Sequence, residues 1–159
     1  MIFKFQVQEI QKADFSRFVS FILEQRKEHD EAVLRRKVHQ TLQKLWQLKK
    51  IYRRPIIFIA KLADGTIIGY LILHWLWEFW SNSPEALVSS LYVIPARRNQ
   101  GVATSLLEKA TIKIKQFSCA RLWLENNRKN PIYDKQFYAK RHWKERKDLA
   151  VFEFHDVEN

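Results

Sequence analysis

Apolar and polar side chains alternate over "IFKFQV" (2–7), a period of two that predicts a strand. From Asp14 the period changes. Phe15, Phe18, Val19 and Ile22 fall at i, i+3, i+4 and i+7, and Asp14 precedes them as an expected N-cap, so a helix starts there. A second helix is expected from about Asp30 to Leu48, with Val33, Leu34, Val38, Leu42, Leu45 and Trp46 as one apolar stripe. Pro55 closes that region. "IIFIAKL" (56–62), the dipeptide Asp64-Gly65 and "TIIGYLILHWLW" (66–77) predict a β-hairpin, because Asp-Gly fits the tight turns that join twisted strands. "EALVSSLYVI" (85–94) is the next strand, stopped by Pro95. A helix follows from about Val102 to Gln116, with Leu106, Leu107, Ala110, Ile114 and Phe117 on or near one face. "CARLWLE" (119–125) reads as a strand, "IYDKQFYAKRH" (132–142) as a helix and "LAVFEF" (149–154) as a last strand. The order β-α-α-β-β-β-α-β-α-β predicts one mixed α/β domain over 1–159, its central sheet covered by helices.

Composition narrows the class. At 47% hydrophobic and 28% charged residues, the chain is that of a folded globular protein. Its apolar runs are far shorter than a membrane span, and Lys4 and Gln6 interrupt the N-terminus where a signal peptide would be apolar. A single cysteine, Cys119, excludes an internal disulfide framework and fits a reducing cytoplasm. The five histidines (29, 39, 74, 142, 155) are scattered without metal-ligand spacing, so no metal is expected. The charge is unusual: 28 Lys+Arg against 17 Asp+Glu give +11. Such a surface attracts anions: nucleic acid, acidic lipid or a phosphorylated small molecule.

"SSLYVIPARRNQGVATSLLEKA" (89–110) bears on that choice. A strand runs into a basic turn with one of the chain's three glycines, and a helix begins at once. The first N–H groups of a helix lack internal partners and carry the positive end of its dipole, so this is an anion site. Gly101 permits close backbone approach, and Arg97 and Arg98 add charge-assisted donors. Neither G-x-x-x-x-G-K-[ST] nor G-x-G-x-x-G is present. What stands here is Arg98-Asn99-Gln100-Gly101-Val102-Ala103. It resembles the pyrophosphate-binding Q/R-x-x-G-x-G/A motif of the GNAT N-acetyltransferase superfamily. "DGTIIGYLIL" resembles that family's second-to-third-strand hairpin, and "QFYAKRHW" its C-terminal "FYEKLGF"-like segment, with His142 where glycine is usual. The resemblance covers nearly the whole chain, is weakest over 1–54, and is nearest in pattern to diamine-acetyltransferase-like members.

The resemblance implies an α/β (α+β) GNAT fold: a mixed, mostly antiparallel sheet of six to seven strands with about four helices. It implies acetyl-CoA as co-substrate, held by Arg98, Asn99, Gln100, Gly101, Val102, Ala103 and Thr104. Backbone groups of Leu91, Tyr92 and Val93 would polarise the thioester, and Asn126 or Asn127 would bind the pantetheine arm. The second partner is a primary amine, on a small molecule or a protein. An alkylamine of pKa ~10.4 is neutral about once in 2,500 molecules at pH 7, so freeing its lone pair costs roughly 4 to 5 kcal/mol without a base or a desolvating pocket. The departing thiolate benefits from a proton donor, and Tyr138 stands at the family's tyrosine position, with Tyr133 as the competing phenol.

The base is less legible. Relatives often place a carboxylate just before "LYV", where this chain has Ser89 and Ser90. Glu78 is carried as the candidate, beside Glu85, His74 and simple desolvation. "LHWLWEFW" (73–80) contributes Trp75, Trp77 and Trp80, which serve either as core or as an aromatic wall of the acceptor site. Homodimerisation is common in the family, and the aromatic surface is compatible with it. The competing classes are a basic nucleic-acid- or ribosome-associated module, less favoured for want of an RRM, KH or helix-turn-helix signature, and a CoA-binding GNAT fold without catalysis.

Overall fold

The computed structural model describes residues 4–25, 31–47, 54–78, 83–129, 133 and 135–148, with backbone alone at 31–34 and 78. These residues fall into two compact units, 1–124 and 125–159.

The first unit is built on a five-stranded sheet in the order β1-β2-β3-β4-β5: β1 Gln6–Glu9, β2 Ile56–Lys61, β3 Ile67–Glu78, β4 Ser83–Val93 and β5 Leu122–Leu124. The first four pair antiparallel, and β5 joins β4 in parallel through three pairs, Ala86↔Leu122, Leu87↔Trp123 and Val88↔Leu124. Three α-helices accompany it: α1 Phe15–Gln25, α2 Glu31–Gln47 and α3 Val102–Gln116. The described sheet thus has five strands and the described helices number three, against the six to seven and four expected. The expected strand at 149–154 lies outside the described residues.

Alternation along β2 and β3 separates the two faces. Ile57, Ile59, Tyr70 and Ile72 pack with Phe15, Phe18, Val19 and Phe21 of α1 and Leu42 of α2. On the other face sit Ile56, Phe58, Leu71 and Leu73, the side on which α3 buries Val102, Leu106, Leu107 and Ala110. Gly69 belongs to that face: a Cβ there would stand 2.7 Å from the Tyr92 carbonyl oxygen and 3.4 Å from Val102 Cγ1. The glycine lets β3, β4 and α3 close together.

Three expectations are corrected. Asp14 does not cap α1 forwards. It ends a 3-10 turn (Lys12–Asp14), and its carboxylate reaches back to the Gln11 N–H at 3.0 Å and to Lys61 Nζ at 3.1 Å. Burial pushes its pKa up, but the Gln11 N–H and the Lys61 ammonium outweigh burial and hold the carboxyl below its usual range. The fifth strand is three residues long instead of seven. Of the segment expected as a helix at 132–142, the described residues show Tyr133 helical, 135–138 as turns and a 3-10 turn at Ala139–Arg141. Gln136 (φ 50°) and His142 (φ 65°) adopt left-handed conformations that a continuous helix does not accept.

Candidate active site

The loop after β4 has the geometry of an anion cradle. Asn99 (φ 60°) and Gly101 (φ 83°) are left-handed, and this turns the chain sharply into α3. No side chain caps α3, whose N-cap is Gly101 itself. A Cβ built on Gly101 would meet nothing within 4 Å. Space therefore does not demand the glycine; its backbone angle does, and the region in front of the helix N-terminus is open to an anion. Arg98 donates from Nε to the Val93 carbonyl at 3.0 Å, with its guanidinium 5.9 Å from the Tyr92 ring centroid. This ties the loop to the end of β4. Gln100 Nε2 donates back to Ala96 O at 3.2 Å, so its side chain braces the loop.

β4 supplies the second element. Its pairing to β3 shifts register between Ile72↔Ser90 and Leu73↔Val88, which leaves Ser89 as an extra, bulged residue. The pairing to β5 ends one residue earlier, at Val88. Ile94 N–H donates to Ile68 O of β3 at 3.1 Å, and in an antiparallel ladder the direction alternates along the strand. Leu91 and Val93 therefore aim their N–H groups away from β3, along the edge that β5 does not pair. Arg98 reaches that same edge through Val93 O.

On the α1 face, Tyr70 and Tyr92 lie opposite each other with ring centroids 6.0 Å apart, edge-on to Phe21. Ser90 Oγ donates to the Tyr70 hydroxyl at 3.2 Å, and the Tyr92 hydroxyl donates to Gln25 Oε1 at the end of α1. Ser89 is exposed. Trp75 packs edge-on against Phe117 at the end of α3, centroids 5.1 Å apart, whereas Trp77 is 63% exposed. Trp80 and the Glu78 side chain lie outside the described residues.

Tyr138, Asn126 and Asn127 belong to the second unit. Tyr138 packs against Phe137 and Trp143, and burial pushes its phenol pKa above the ordinary value, so it is protonated at neutral pH. Asn127 Oδ1 accepts from the Lys129 N–H at 2.8 Å, closing its own local turn. In this unit Arg128 and the Tyr133 hydroxyl both bond Glu145, at 2.9 Å and 3.1 Å.

The structure thus brings Leu91–Val93 and Arg98–Val102 together in one unit. It also reveals neighbours that sequence reasoning passed over, Tyr70, Arg121 and Trp123. The alternation in "RLWL" places Arg121 and Trp123 on one face, and that was the available signal. Among the described residues no three His, Cys, Asp or Glu side chains converge on a metal site, and no helix is long and apolar enough to cross a membrane.

Comparison with known proteins agrees with this geometry. Residues 8–143 match the profile of the Acetyltransferase (GNAT) family. The chain is 49% identical over 37 residues to an aminoglycoside N(6')-acetyltransferase type 1 of Acinetobacter haemolyticus, covering 23% of this chain and 26% of that protein. It is 31% identical over 77 residues to an uncharacterized N-acetyltransferase of Mycobacterium bovis, 48% of this chain and 46% of that one. The matches thus span a quarter to a half of these relatives. Among solved structures, a probable acetyltransferase superposes with TM-score 0.78 at 14% identity, covering 97% and 99% of the two chains. The aminoglycoside 6'-N-acetyltransferase of Acinetobacter baumannii superposes with TM-score 0.71 at 19% identity over 96% and 99%. At such identities these structures establish the fold alone.

Proposed function

The chain belongs to the GNAT acetyltransferase family, and from that premise we propose that it is an N-acetyltransferase moving an acetyl group from acetyl-CoA to a primary amine by direct attack. One observation carries the reading: the Arg98–Gly101 loop, the uncapped N-terminus of α3 and the outward-facing N–H groups of Leu91 and Val93 lie on one strand edge. That set suits a ligand with a pyrophosphate at one end and an amide-bearing arm ending in a polarised carbonyl. The residues present fit it: open space at Gly101, positive charge at Arg98, and donors along the strand.

In this reading the amine lone pair attacks the thioester carbonyl carbon, whose oxygen takes up charge against the β4 N–H groups. As the tetrahedral adduct collapses, the C–S bond breaks and the sulfur leaves as thiolate. The phenol of Tyr138, kept protonated by burial, is the proton donor to that sulfur. The attacking nitrogen loses its extra proton to a base, for which Glu78 is the candidate from the sequence. Ser89 and Ser90 at the bulge are proposed for the acceptor end. Trp75 and Trp77 follow along β3 on the side where Trp75 meets Phe117 at the end of α3, and Trp80 stays a candidate from the sequence. Two of the relatives named above act on aminoglycosides, which places polyhydroxylated amines in the acceptor panel.

The test is a calorimetric titration of the protein and a Gly101→Glu variant with acetyl-CoA, followed by thiol release across a panel of amines. Binding to the wild type that is lost in the variant supports the reading. A wild type that does not bind overturns it.

A further inference from the structure

The α1-side face of the sheet continues past the Ser89 bulge, and its side chains there are not those of an ordinary core. Register fixes the rows. His74 of β3 lies opposite Leu87 of β4, and Leu87 opposite Trp123 of β5. One row further from the bulge, Leu76 lies opposite Glu85, and Arg121 stands beside Glu85, two residues before Trp123. Same-face rows are spaced about 7 Å apart and neighbouring strands about 4.8 Å, so His74 and Trp123 flank Leu87 at a span of roughly 10 Å.

This floor holds polar groups that the described residues leave unmatched. Trp123 Nε1 is buried without a hydrogen-bond partner. The half-buried His74 imidazole has no hydrogen-bond partner among the described residues, and burial alone pushes its pKa down, so it is neutral at pH 7. Buried polar groups are nearly always satisfied, and an exception asks for a ligand or a solvent molecule. Arg121 differs in kind. Its Nε is held at 2.6 Å by Glu85 Oε1, on a carboxylate side chain 10% exposed, while the Arg121 side chain is 49% exposed. Its guanidinium leans over the Trp123 ring at 5.7 Å. Glu85 anchors the fork at Nε, and the guanidinium belongs to a half-exposed side chain, whose planar set of N–H donors suits a carboxylate.

We propose that the floor formed by His74, Leu87 and Trp123, with Arg121 held by Glu85 at its end, is an acceptor subsite for a primary amine that carries a carboxylate several bonds away, such as a short peptide or an ω-amino acid. This rests on the acetyltransferase reading and deepens it. The amine end lies toward the bulge and the neutral imidazole; the carboxylate end lies on Arg121 and the Trp123 N–H. Charge argues against a polycation there: Glu85 is the acid of this floor among the described residues, and Arg121 already neutralises it. The distance from the bulge to Arg121, one to two rows, is too long for an α-amino acid.

The test compares thiol release from acetyl-CoA with di- and tripeptides bearing a free C-terminus, the same peptides as C-terminal amides, ω-amino acids, and an aminoglycoside. The wild type is expected to favour free carboxylates over amides by at least tenfold in kcat/KM. Trp123→Phe keeps the ring and should narrow the ratio several-fold. Arg121→Gln should abolish it, and because that change strands a buried carboxylate, the double variant Glu85→Gln/Arg121→Gln is made alongside it. The readout is the acid-to-amide ratio within each variant, so a uniform loss of rate does not mimic the effect. Equal use of acids and amides, or preference for the aminoglycoside, overturns the subsite and leaves the acetyltransferase standing. Binding of acetyl-CoA with no turnover of any carboxylate-bearing amine also overturns the subsite. Absence of acetyl-CoA binding removes the broader reading with it.

Discussion

Replacing Gly101 with alanine separates backbone strain from ligand contact. At φ 83° the new residue sits in the left-handed region, and its methyl group meets no atom within 4 Å. The folded protein therefore loses about 1–2 kcal/mol through the backbone alone. For a chain of this size that lowers Tm by roughly 3–6 °C. Gly65 is the matched control. Its φ is 85°, and its added Cβ would press on the Arg17 Nη1 at 2.6 Å, the far end of a flexible side chain that can swing away. Gly65→Ala should cost about the same stability, and its Cβ meets Arg17, not the 98–102 loop. If the open space before α3 receives a pyrophosphate, the Gly101 methyl group enters that space and blocks close approach. The Kd for acetyl-CoA should then rise at least tenfold, about 1.4 kcal/mol, in Gly101→Ala and stay at the wild-type value in Gly65→Ala. Thermal melts and calorimetric titrations of the three proteins read both quantities. Equal loss of stability with an unchanged Kd in both variants would refute the cradle.

Four further outcomes are expected. Tyr138→Phe should lower kcat by about 10²–10⁴ if the phenol protonates the leaving sulfur, with acetyl-CoA affinity retained in the same titration. Asp14→Ala should destabilise the fold by about 2–3 kcal/mol, measured by urea denaturation, since it strands Lys61 and the Gln11 N–H. The pH dependence follows from the lowered folded pKa: the Asp14 contribution is fully present above its unfolded value of 3.8 and fades as pH falls through the lower folded one, so Asp14→Asn should flatten the acid limb of the stability curve. Gly69→Ala should cost about 1–3 kcal/mol in the same denaturation assay, because the clash is with the Tyr92 backbone oxygen, which has nowhere to move.

What was legible in the sequence was local. The β2–β3 hairpin follows from Asp64-Gly65 between two apolar runs, and α3 from an uninterrupted 3.6-residue pattern after a glycine. The anion loop was legible for the same reason, since a strand, a basic turn and a helix are contiguous in the chain. The bulge at Ser89 left no trace, because it is set by register against β3 and not by the residue itself. The Glu85–Arg121 pair joins strands 36 positions apart through a crossover helix, and no periodicity reports a parallel register. Asp14 looked like a forward cap because the spacing suits one; Lys61, remote in sequence, makes the backward arrangement the better. The 132–142 segment carries helical spacing of aromatics, yet Gln136 and His142 turn left-handed against it.

The three-pair parallel contact between β4 and β5 has a kinetic meaning. Strands β2, β3 and β4 are consecutive in the chain and pair antiparallel, so they can pair as soon as they are made, whereas Val88 meets Leu124 only after α3 has crossed over between them. Contacts of such sequence separation carry a large loop-closure entropy and form late. The strand edge that holds the candidate site is thus expected to take shape late in folding. If that pairing forms after the rate-limiting barrier, substitutions in Leu122–Leu124 should hasten unfolding while leaving the folding rate nearly as it was, which the two limbs of a denaturant chevron would read.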